Sequence, residues 1–339
     1  MKRIDITAYG TPQEVANCVE VPDVGAPGPG EVVFDVLAFP INPADVSFCR
    51  GSYRLRPPLP ATPGAESVGR VAAVGAGVAG LGPGDLVVNM QRENWVQRRR
   101  IRSEDAIPVP SGLDLPQAAM LRINPATAQL LLEDHVALSP GDWVIQDVAN
   151  SAVGRHVILL AKARGVRTVN VVRRDDVAAE LRALGADVVL KDGPDLAERA
   201  RAATGGAPIR LGIDAVSGEA CRRIADSVSD GGVVVSYGSM SGEDPAIGRS
   251  ALNMRGVSLT GFNLRAWTGQ AHAAPGAGDL CRSGAQDPRR CAEGPDRFLL
   301  PYRGHQGRID PCPAGWPQRQ GAGAAQWAAA MTGTVISSS

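Results

Sequence analysis

The pattern with the clearest chemical meaning runs from Asp142 to Gly154, DWVIQDVANSAVG, and is typical of a buried strand, a tight turn and the start of a helix. Backbone N–H groups at a helix N-terminus favour a phosphate anion, because they lie unpaired at the positive end of the helix dipole. The glycine fingerprint of dinucleotide-binding turns is incomplete: Ala149 and Ala152 occupy positions where glycine is commonest, and only Gly154 remains. The segment predicts a phosphate-binding turn, with an ordinary strand–helix turn as the alternative.

The next predicted strand, Thr168 to Val172, is followed by Arg173 and Arg174. Dinucleotide folds that select NAD usually place an acidic residue here for the ribose hydroxyls, whereas a basic residue suits the additional phosphate of NADP. A solvated pair of charges in a loop is the alternative interpretation. Together with the predicted phosphate-binding turn, the two arginines favour NADPH as the cofactor.

Both segments belong to a regular alternation of predicted strands and helices that begins near Pro116. Such alternation with short loops implies a Rossmann domain, a doubly wound parallel sheet covered on both faces. Residues 1–115 instead alternate short β-rich runs with Pro and Gly turns such as Gly28-Pro29-Gly30, which predicts a small, partly barrel-like β domain. We therefore expect an α/β protein with a β-rich domain over 1–115 and a cofactor domain over 116–262.

Composition excludes several classes of function. The chain has 339 residues, 44% of them hydrophobic, which is enough to bury two cores. Its 35 Lys and Arg balance its 35 Asp and Glu, so no net field attracts a nucleic acid or an anionic membrane. No run approaches the roughly 20 apolar residues of a membrane span. The first residues contain no cleavable apolar segment. The sequence has no Cys-x-x-Cys pair that would indicate a zinc site. We expect a cytoplasmic protein without nucleic-acid or membrane partners.

The last 72 residues, 268–339, have a different composition. Leu, Ile, Val and Phe occur only seven times there, and Gly and Pro make up about a quarter of the segment. Such a composition cannot form an independent core, yet the segment contains half of the six cysteines, which flexible tails usually lack. We predict that these atypical residues are frameshifted, the product of a shifted reading frame. A disordered segment, or a divergent but genuine tail, is the alternative.

Several motifs in the first 267 residues resemble the medium-chain dehydrogenase/reductase superfamily. They are Ile41-Asn-Pro-Ala-Asp45, Gly51-Ser-Tyr53, Pro63-Gly-Ala-Glu-Ser-Val-Gly69, Val71-x-x-Val74-Gly75 and Gly84-Asp85. A second set resembles the mitochondrial-type 2-enoyl thioester reductases of that superfamily: Ile123-Asn-Pro-Ala-Thr127, Val144-Ile-Gln146, Asn150-Ser151, Val169-Asn-Val-Val-Arg173, Ser236-Tyr-Gly-Ser-Met240 and Gly261-Phe-Asn-Leu264. The resemblance implies a GroES-like catalytic domain built from both ends of the chain, with residues 263–339 as its C-terminal part and the Rossmann domain inserted between them.

The resemblance also implies that the protein works without zinc. Zinc-dependent relatives have a Cys where Asn42 lies and a His where Ala65 lies, and they contain a four-cysteine lobe that is absent here. Neither residue is a plausible replacement ligand for zinc. We therefore expect no metal site and a structural role for Glu66.

Catalytic and cofactor-binding residues follow from the resemblance, position by position. Tyr53 matches the proton donor of the family: a phenol is protonated at neutral pH and can donate to the α-carbon once hydride has reached the β-carbon. An exposed turn tyrosine is the alternative, and Tyr237 is equally explained as an aromatic residue at a strand end. Ala152 adds a methyl group where the family usually has Gly, and Asn263 replaces a usual Trp. The expected cofactor-binding residues are Asn124, Asn150, Ser151, Ala152, Val153, Gly154, Arg173, Arg174, Tyr237, Gly238, Ser239, Met240, Phe262, Asn263 and Leu264.

The implied activity is the NADPH-dependent reduction of an activated carbon–carbon double bond in fatty acid metabolism, with enoyl-CoA or an enoyl-acyl-carrier protein as substrate. An NADPH quinone or enone reductase on the same scaffold is the nearest alternative, and an inactive NADPH-binding or misfolded product is an alternative of another class. Arg98, Arg99 and Arg100 form either a surface for phosphates or an acidic carrier protein, or one solvated strand face. Val257 to Phe262 is the candidate edge of a homodimer.

Overall fold

The computed structural model describes residues 1–109 and 112–264. The described residues form two compact units, Met1–Arg122 and the residues from Ile123 onward. No helix in the described part of the chain is long and apolar enough to cross a membrane. Residues 268–339, for which we predict a shifted reading frame, lie outside the described residues.

The first unit consists mainly of β-strands. Its strands are β1 (Lys2–Ile6), β2 (Ala16–Glu20), β3 (Glu31–Ala38), β4 (Val68–Val74), β5 (Leu86–Asn89), β6 (Arg98–Arg102) and β7 (Ala106–Pro108). Its helices are α1 (Pro12–Val15), α2 (Pro43–Arg50) and α3 (Leu115–Ala119), and a 3-10 turn spans Ser103–Asp105. The strands β1 and β2 form an antiparallel pair, and the other five form an antiparallel sheet in the order β6-β3-β4-β5-β7.

An apolar core lies against the five-stranded sheet. Val32 and Phe34 of β3 are fully buried and pack with Val71 of β4, Val87 of β5 and Ile101 of β6. Val32 and Phe34 share one face of β3 because alternate residues of a strand point the same way. Each such buried side chain stabilises the fold by about 1.5–3 kcal/mol. The predicted β-rich domain is confirmed.

The second unit alternates strands and helices. Its strands are β8 (Trp143–Gln146), β9 (Arg167–Val172), β10 (Val188–Lys191), β11 (Ile209–Asp214), β12 (Val233–Ser236) and β13 (Ser258–Gly261). Its helices are α4 (Asn124–Glu133), α5 (Ala152–Ala163), α6 (Ala178–Leu184), α7 (Leu196–Ala203) and α8 (Gly218–Ser227), with a 3-10 turn at Asp175–Val177 and a π-helical turn at Ser250–Met254. All six strands are parallel, in the order β10-β9-β8-β11-β12-β13.

This sheet is covered on both faces, as predicted. Trp143 and Ile145 of β8 pack with Ile224 of α8 on one face, whereas Val144 packs with Val157 of α5 on the other. The chain starts in the middle of the sheet with β8, adds strands on one side, and returns to β8 with β11. Ligands of doubly wound sheets bind at this reversal, beyond the carboxyl ends of the strands. The predicted Rossmann architecture is confirmed.

The first unit extends to Arg122, beyond the boundary at residue 115 that the sequence predicts. The buried residues Ala118 and Ala119 of α3 pack with Ala38 and Val68 of the β-rich sheet. The helical pattern after Pro116 resembles the alternation that follows it, so the sequence alone assigns this helix to the second domain.

Candidate active site

The turn between β8 and α5 is closed by the N-cap of the helix. The Oγ of Ser151 accepts a hydrogen bond from the Gly154 N–H at 3.1 Å. Gly154 packs so tightly on the turn that a Cβ atom there would lie 2.6 Å from the carbonyl oxygen of Ala149. The helix that begins here has 12 residues, so its first turn is the positive end of a dipole. Exposed Asn150, half-buried Ala152 and buried Val153 complete the predicted phosphate-binding turn.

Two carboxyl groups that the sequence analysis did not single out lie at the same edge. Asp147 follows β8 and Asp214 ends β11, and both are almost fully buried. The Oδ1 of Asp147 accepts a hydrogen bond from the Ala215 N–H at 2.8 Å, whereas its buried Oδ2 makes none with a described residue. Asp214 accepts hydrogen bonds from the Ser217 N–H at 2.9 Å and the Ser236 hydroxyl at 2.7 Å. Burial, and then the charge of Asp214, raise the pKa of Asp147 well above its usual value.

The residues after β12 border this pair of carboxyl groups. Burial, and then the charge of Asp147, raise the pKa of the Tyr237 phenol, while the hydroxyl of Ser151 lowers it. Tyr237 therefore remains protonated and lies next to the cap of α5. A Cβ atom on Gly238 would lie 2.9 Å from the Ala215 carbonyl oxygen, so a glycine permits the close approach of the two turns.

The remaining predicted cofactor residues of this unit follow β12 and β13 or begin α4. The Phe262 N–H donates to the Ser236 carbonyl at 2.9 Å, and the Phe262 ring meets His135 edge-on with 6.2 Å between ring centroids. Asn124 begins α4 and is buried. The N–H of Met240 donates to the Ala215 carbonyl at 3.0 Å. Ser239, Met240 and Asn263 are exposed, and Leu264 is half-buried.

Arg173 and Arg174 directly follow β9, at the same edge as the β8 turn because the two strands are parallel. Both side chains are exposed. The Arg174 guanidinium lies 3.5 Å from the Asp176 carboxylate, whereas Arg173 forms no ion pair with any described residue. Arg173 is therefore the more available of the two cations for a phosphate group.

Tyr53 lies in the first unit, in the loop after α2. Gly51 ends that helix in the left-handed conformation (φ 71°), and the N–H groups of Ser52 and Tyr53 donate to the Ser47 carbonyl, each at 3.0 Å. The guanidinium carbon of Arg92 lies 5.0 Å from the centroid of the Tyr53 ring, a cation–π contact. The ring is half-buried and held in place, and its role as proton donor remains a prediction.

Asn42, which the resemblance matches to a zinc-ligating cysteine, forms a hydrogen-bonded pair with Glu66. The Asn42 side-chain amide donates to Glu66 Oε1 at 2.9 Å, and both residues are buried. The Asn42 N–H donates to Asp45 Oδ2 at 2.9 Å. Burial raises the pKa of Asp45 to about 6. Among the described residues, no group of three or more His, Cys, Asp or Glu is placed to hold a metal ion.

Arginines of β6 each form an ion pair with a nearby carboxylate. This pairing is typical of a solvated strand face and leaves little free charge for phosphates or an acidic carrier protein. The pairs are Arg98 with Asp35 at 2.6 Å, Arg99 with Glu93 at 3.0 Å, and Arg100 with Glu31 at 3.5 Å.

Comparisons with known proteins agree with this geometry. The family described as "Alcohol dehydrogenase GroES-like domain" matches residues 28–105, and the family described as "Zinc-binding dehydrogenase" matches residues 152–278. The mitochondrial enoyl-acyl-carrier-protein reductase of Arabidopsis thaliana is 34% identical over 273 residues, covering 78% of this chain and 72% of that protein. The solved complex of Etr1p with NADP and crotonyl-CoA is similar with a TM-score of 0.73 and 26% identity, covering 80% of this chain and 84% of that one.

A putative NADPH:quinone reductase from Bacillus thuringiensis has a similar structure, with a TM-score of 0.72 and 28% identity over 79% of this chain and 81% of that one. The similarity to these proteins includes the β-rich unit and the doubly wound unit. The chain therefore belongs to the medium-chain dehydrogenase/reductase superfamily and, within it, to the family of the mitochondrial enoyl-acyl-carrier-protein reductases.

Proposed function

We propose that the protein reduces the carbon–carbon double bond of a trans-2-enoyl thioester with NADPH, without a metal ion. The observation that supports this proposal is one edge of the second unit, where Ser151 caps α5, Gly154 packs against the turn, and Arg173 follows the neighbouring strand, an arrangement suited to a phosphate anion. The family supports the same activity, since a related structure contains NADP and crotonyl-CoA.

The residues at this edge fit NADPH. We assign the diphosphate to the start of α5, where the absence of a Cβ on Gly154 keeps the turn closed on the helix. We assign the 2′-phosphate to Arg173, with Arg174 beside it, because a guanidinium binds phosphate through paired N–H donors. Tyr237 and Phe262 follow β12 and β13, and we assign them to the nicotinamide half. When bound, NADPH supplies the hydride that is added to the β-carbon.

We assign protonation of the α-carbon to Tyr53. Hydride addition at the β-carbon places negative charge on the thioester oxygen as an enolate. The phenol O–H of Tyr53 then donates its proton to the α-carbon, and the resulting phenolate recovers a proton from water. The guanidinium of Arg92 beside the ring stabilises this transient negative charge.

A second candidate is the NADPH-dependent reduction of a quinone or enone. The structural similarity to the Bacillus thuringiensis protein, named as a putative NADPH:quinone reductase, favours it. NADPH would again supply the hydride, but the protein would not need to recognise a thioester carrier.

The test compares NADPH oxidation with crotonyl-CoA and with a soluble quinone as acceptor. The proposal expects a higher kcat/KM for crotonyl-CoA. Faster turnover of the quinone would favour the second candidate. Binding of NADPH in a fluorescence titration, without turnover of either acceptor, would support the hypothesis of an inactive product.

We also propose a homodimer that pairs through β13. Within the described residues this strand pairs only with β12, so its other edge is open to a second copy. Light scattering of the purified protein tests this, and a monomer contradicts it.

We propose that the protein is cytoplasmic and that it acts in fatty acid metabolism. Because the relatives are named as mitochondrial, fractionation of cells that express the full chain decides between the two compartments.

A further inference from the structure

The loop that contains Tyr53 also has unpaired positive charge. Residues 50–60, RGSYRLRPPLP, contain three arginines and no acidic residue, and we call them the Tyr53 loop. Arg50, Arg54 and Arg56 are all exposed. None of them forms an ion pair with a described residue. Among the described residues, no carboxylate pairs with any of these three guanidinium groups.

The arginines of β6 contrast with those of this loop. On β6, Arg98, Arg99, Arg100 and Arg102 each lie within 3.5 Å of a carboxylate oxygen. Guanidinium groups form strong, paired hydrogen bonds with carboxylates and phosphates. Three exposed arginines that form no ion pair with a described residue are concentrated on one short loop, which is therefore suited to bind anions of another molecule.

The loop is fixed at several points. The Tyr9 hydroxyl donates to the Pro57 carbonyl at 3.0 Å. After the loop, the Ala61 N–H donates to the Ile6 carbonyl at 3.0 Å and its carbonyl accepts from the Ile6 N–H at 2.9 Å. Because the backbone is already ordered, little loop entropy is lost when a partner binds.

The surroundings of the arginines favour a protein partner. Tyr9 and Leu59 are large apolar side chains that remain 37% and 36% exposed beside the arginines. Protein interfaces are enriched in Tyr and Arg.

We propose that the Tyr53 loop is the docking surface for an acidic acyl-carrier protein that delivers the enoyl thioester. This inference rests on the proposed function and names the carrier of its substrate. Carboxylates on the carrier and the phosphodiester of its pantetheine arm are the anions that the three arginines bind. Docking there places the carrier on the loop that contains the proposed proton donor.

The experiment uses the full chain with a double substitution, Arg54→Gln with Arg56→Gln. The matched control, Arg100→Gln with Arg102→Gln, removes the same charge from the paired face of β6. The kcat/KM is measured with three crotonyl thioesters: that of a bacterial acyl-carrier protein, that of CoA, and that of N-acetylcysteamine, which has no phosphate. Binding of the crotonyl carrier protein is measured separately by calorimetry.

We expect the loop variant to lose about tenfold in kcat/KM and in affinity for the carrier protein, with unchanged turnover of the N-acetylcysteamine thioester and an unaffected control. An equal loss with crotonyl-CoA would assign the arginines to nucleotide phosphates and overturn the docking surface. An undiminished carrier rate, or an equal loss in the control, would overturn it as well. A wild-type protein that binds the carrier but reduces none of the thioesters would instead contradict the proposed function.

Discussion

Asp147→Asn removes one of the two carboxyl groups buried at the edge of the Rossmann sheet while conserving the shape of the side chain. The amide oxygen keeps the hydrogen bond from the Ala215 N–H, and the amide nitrogen replaces an oxygen that makes no hydrogen bond with a described residue. That nitrogen also brings a donor next to the charged Asp214. We therefore expect the variant to fold and to be more stable than the wild type at neutral pH.

The pH dependence follows from the raised pKa of Asp147, which burial causes first and the Asp214 charge second. In the unfolded chain the same carboxyl ionises near its ordinary value of 3.8. Above that pH the folded protein binds more protons than the unfolded chain, until Asp147 itself ionises. The free energy of unfolding therefore falls as pH rises through this window, by up to about 1.4 kcal/mol per pH unit for one proton. Asp147→Asn removes this contribution.

Denaturant unfolding of both proteins across a pH series measures the effect. The stability advantage of the variant should grow as pH rises above the ordinary aspartate range and should vanish below it. Asp142→Asn is a control of opposite sign, since the Ser139 N–H and then Arg210 lower the pKa of Asp142. That control should be less stable than the wild type above the aspartate range and equal to it at low pH. A difference between Asp147→Asn and the wild type that does not change with pH would refute the reasoning.

The other predictions concern the cofactor, the proton donor and the tail. Arg173→Ala should weaken NADPH binding by about tenfold and leave NADH binding unchanged in fluorescence titrations; equal losses for both cofactors would contradict the 2′-phosphate assignment. Tyr53→Phe should lower kcat by ~10²- to 10⁴-fold without changing NADPH affinity, and wild-type turnover would restore the turn-tyrosine interpretation. Gly154→Ala should destabilise the protein by about 1–3 kcal/mol in denaturant unfolding, whereas Gly248→Ala, where a Cβ meets nothing within 4 Å, should be neutral. Limited proteolysis should remove residues 268–339 rapidly, and protection of that segment with a confirmed coding sequence would favour a genuine tail.

Much of the Rossmann unit could be predicted from the sequence because its signals are local. Apolar strand runs followed by helical periodicity predict parallel strands with helices on both faces. The cap at Ser151 and the tight packing of Gly154 also follow from one short segment. These features depend on neighbours in the chain, which a sequence pattern contains directly.

The features that sequence analysis missed depend on distant residues. Asp147 and Asp214 each follow a buried strand run, but only the pairing of β8 with β11 brings them to one edge. The pairing of the β6 arginines likewise depends on carboxylates from other segments, such as Asp35 on β3. The acidic residue after each apolar strand run is a sequence signal for this buried pair of carboxyl groups. The sequence does not contain the strand order that brings the two residues together.

The most direct test of the proposed reaction uses NADPH with deuterium at both C4 positions, crotonyl thioester as acceptor and ordinary water as solvent. The saturated product is analysed by mass spectrometry and NMR. We predict one deuterium in each product molecule, on the β-carbon, with a solvent-derived hydrogen on the α-carbon. Deuterium on the α-carbon, or reduction of a quinone with no saturated thioester, would contradict the proposed enoyl thioester reductase.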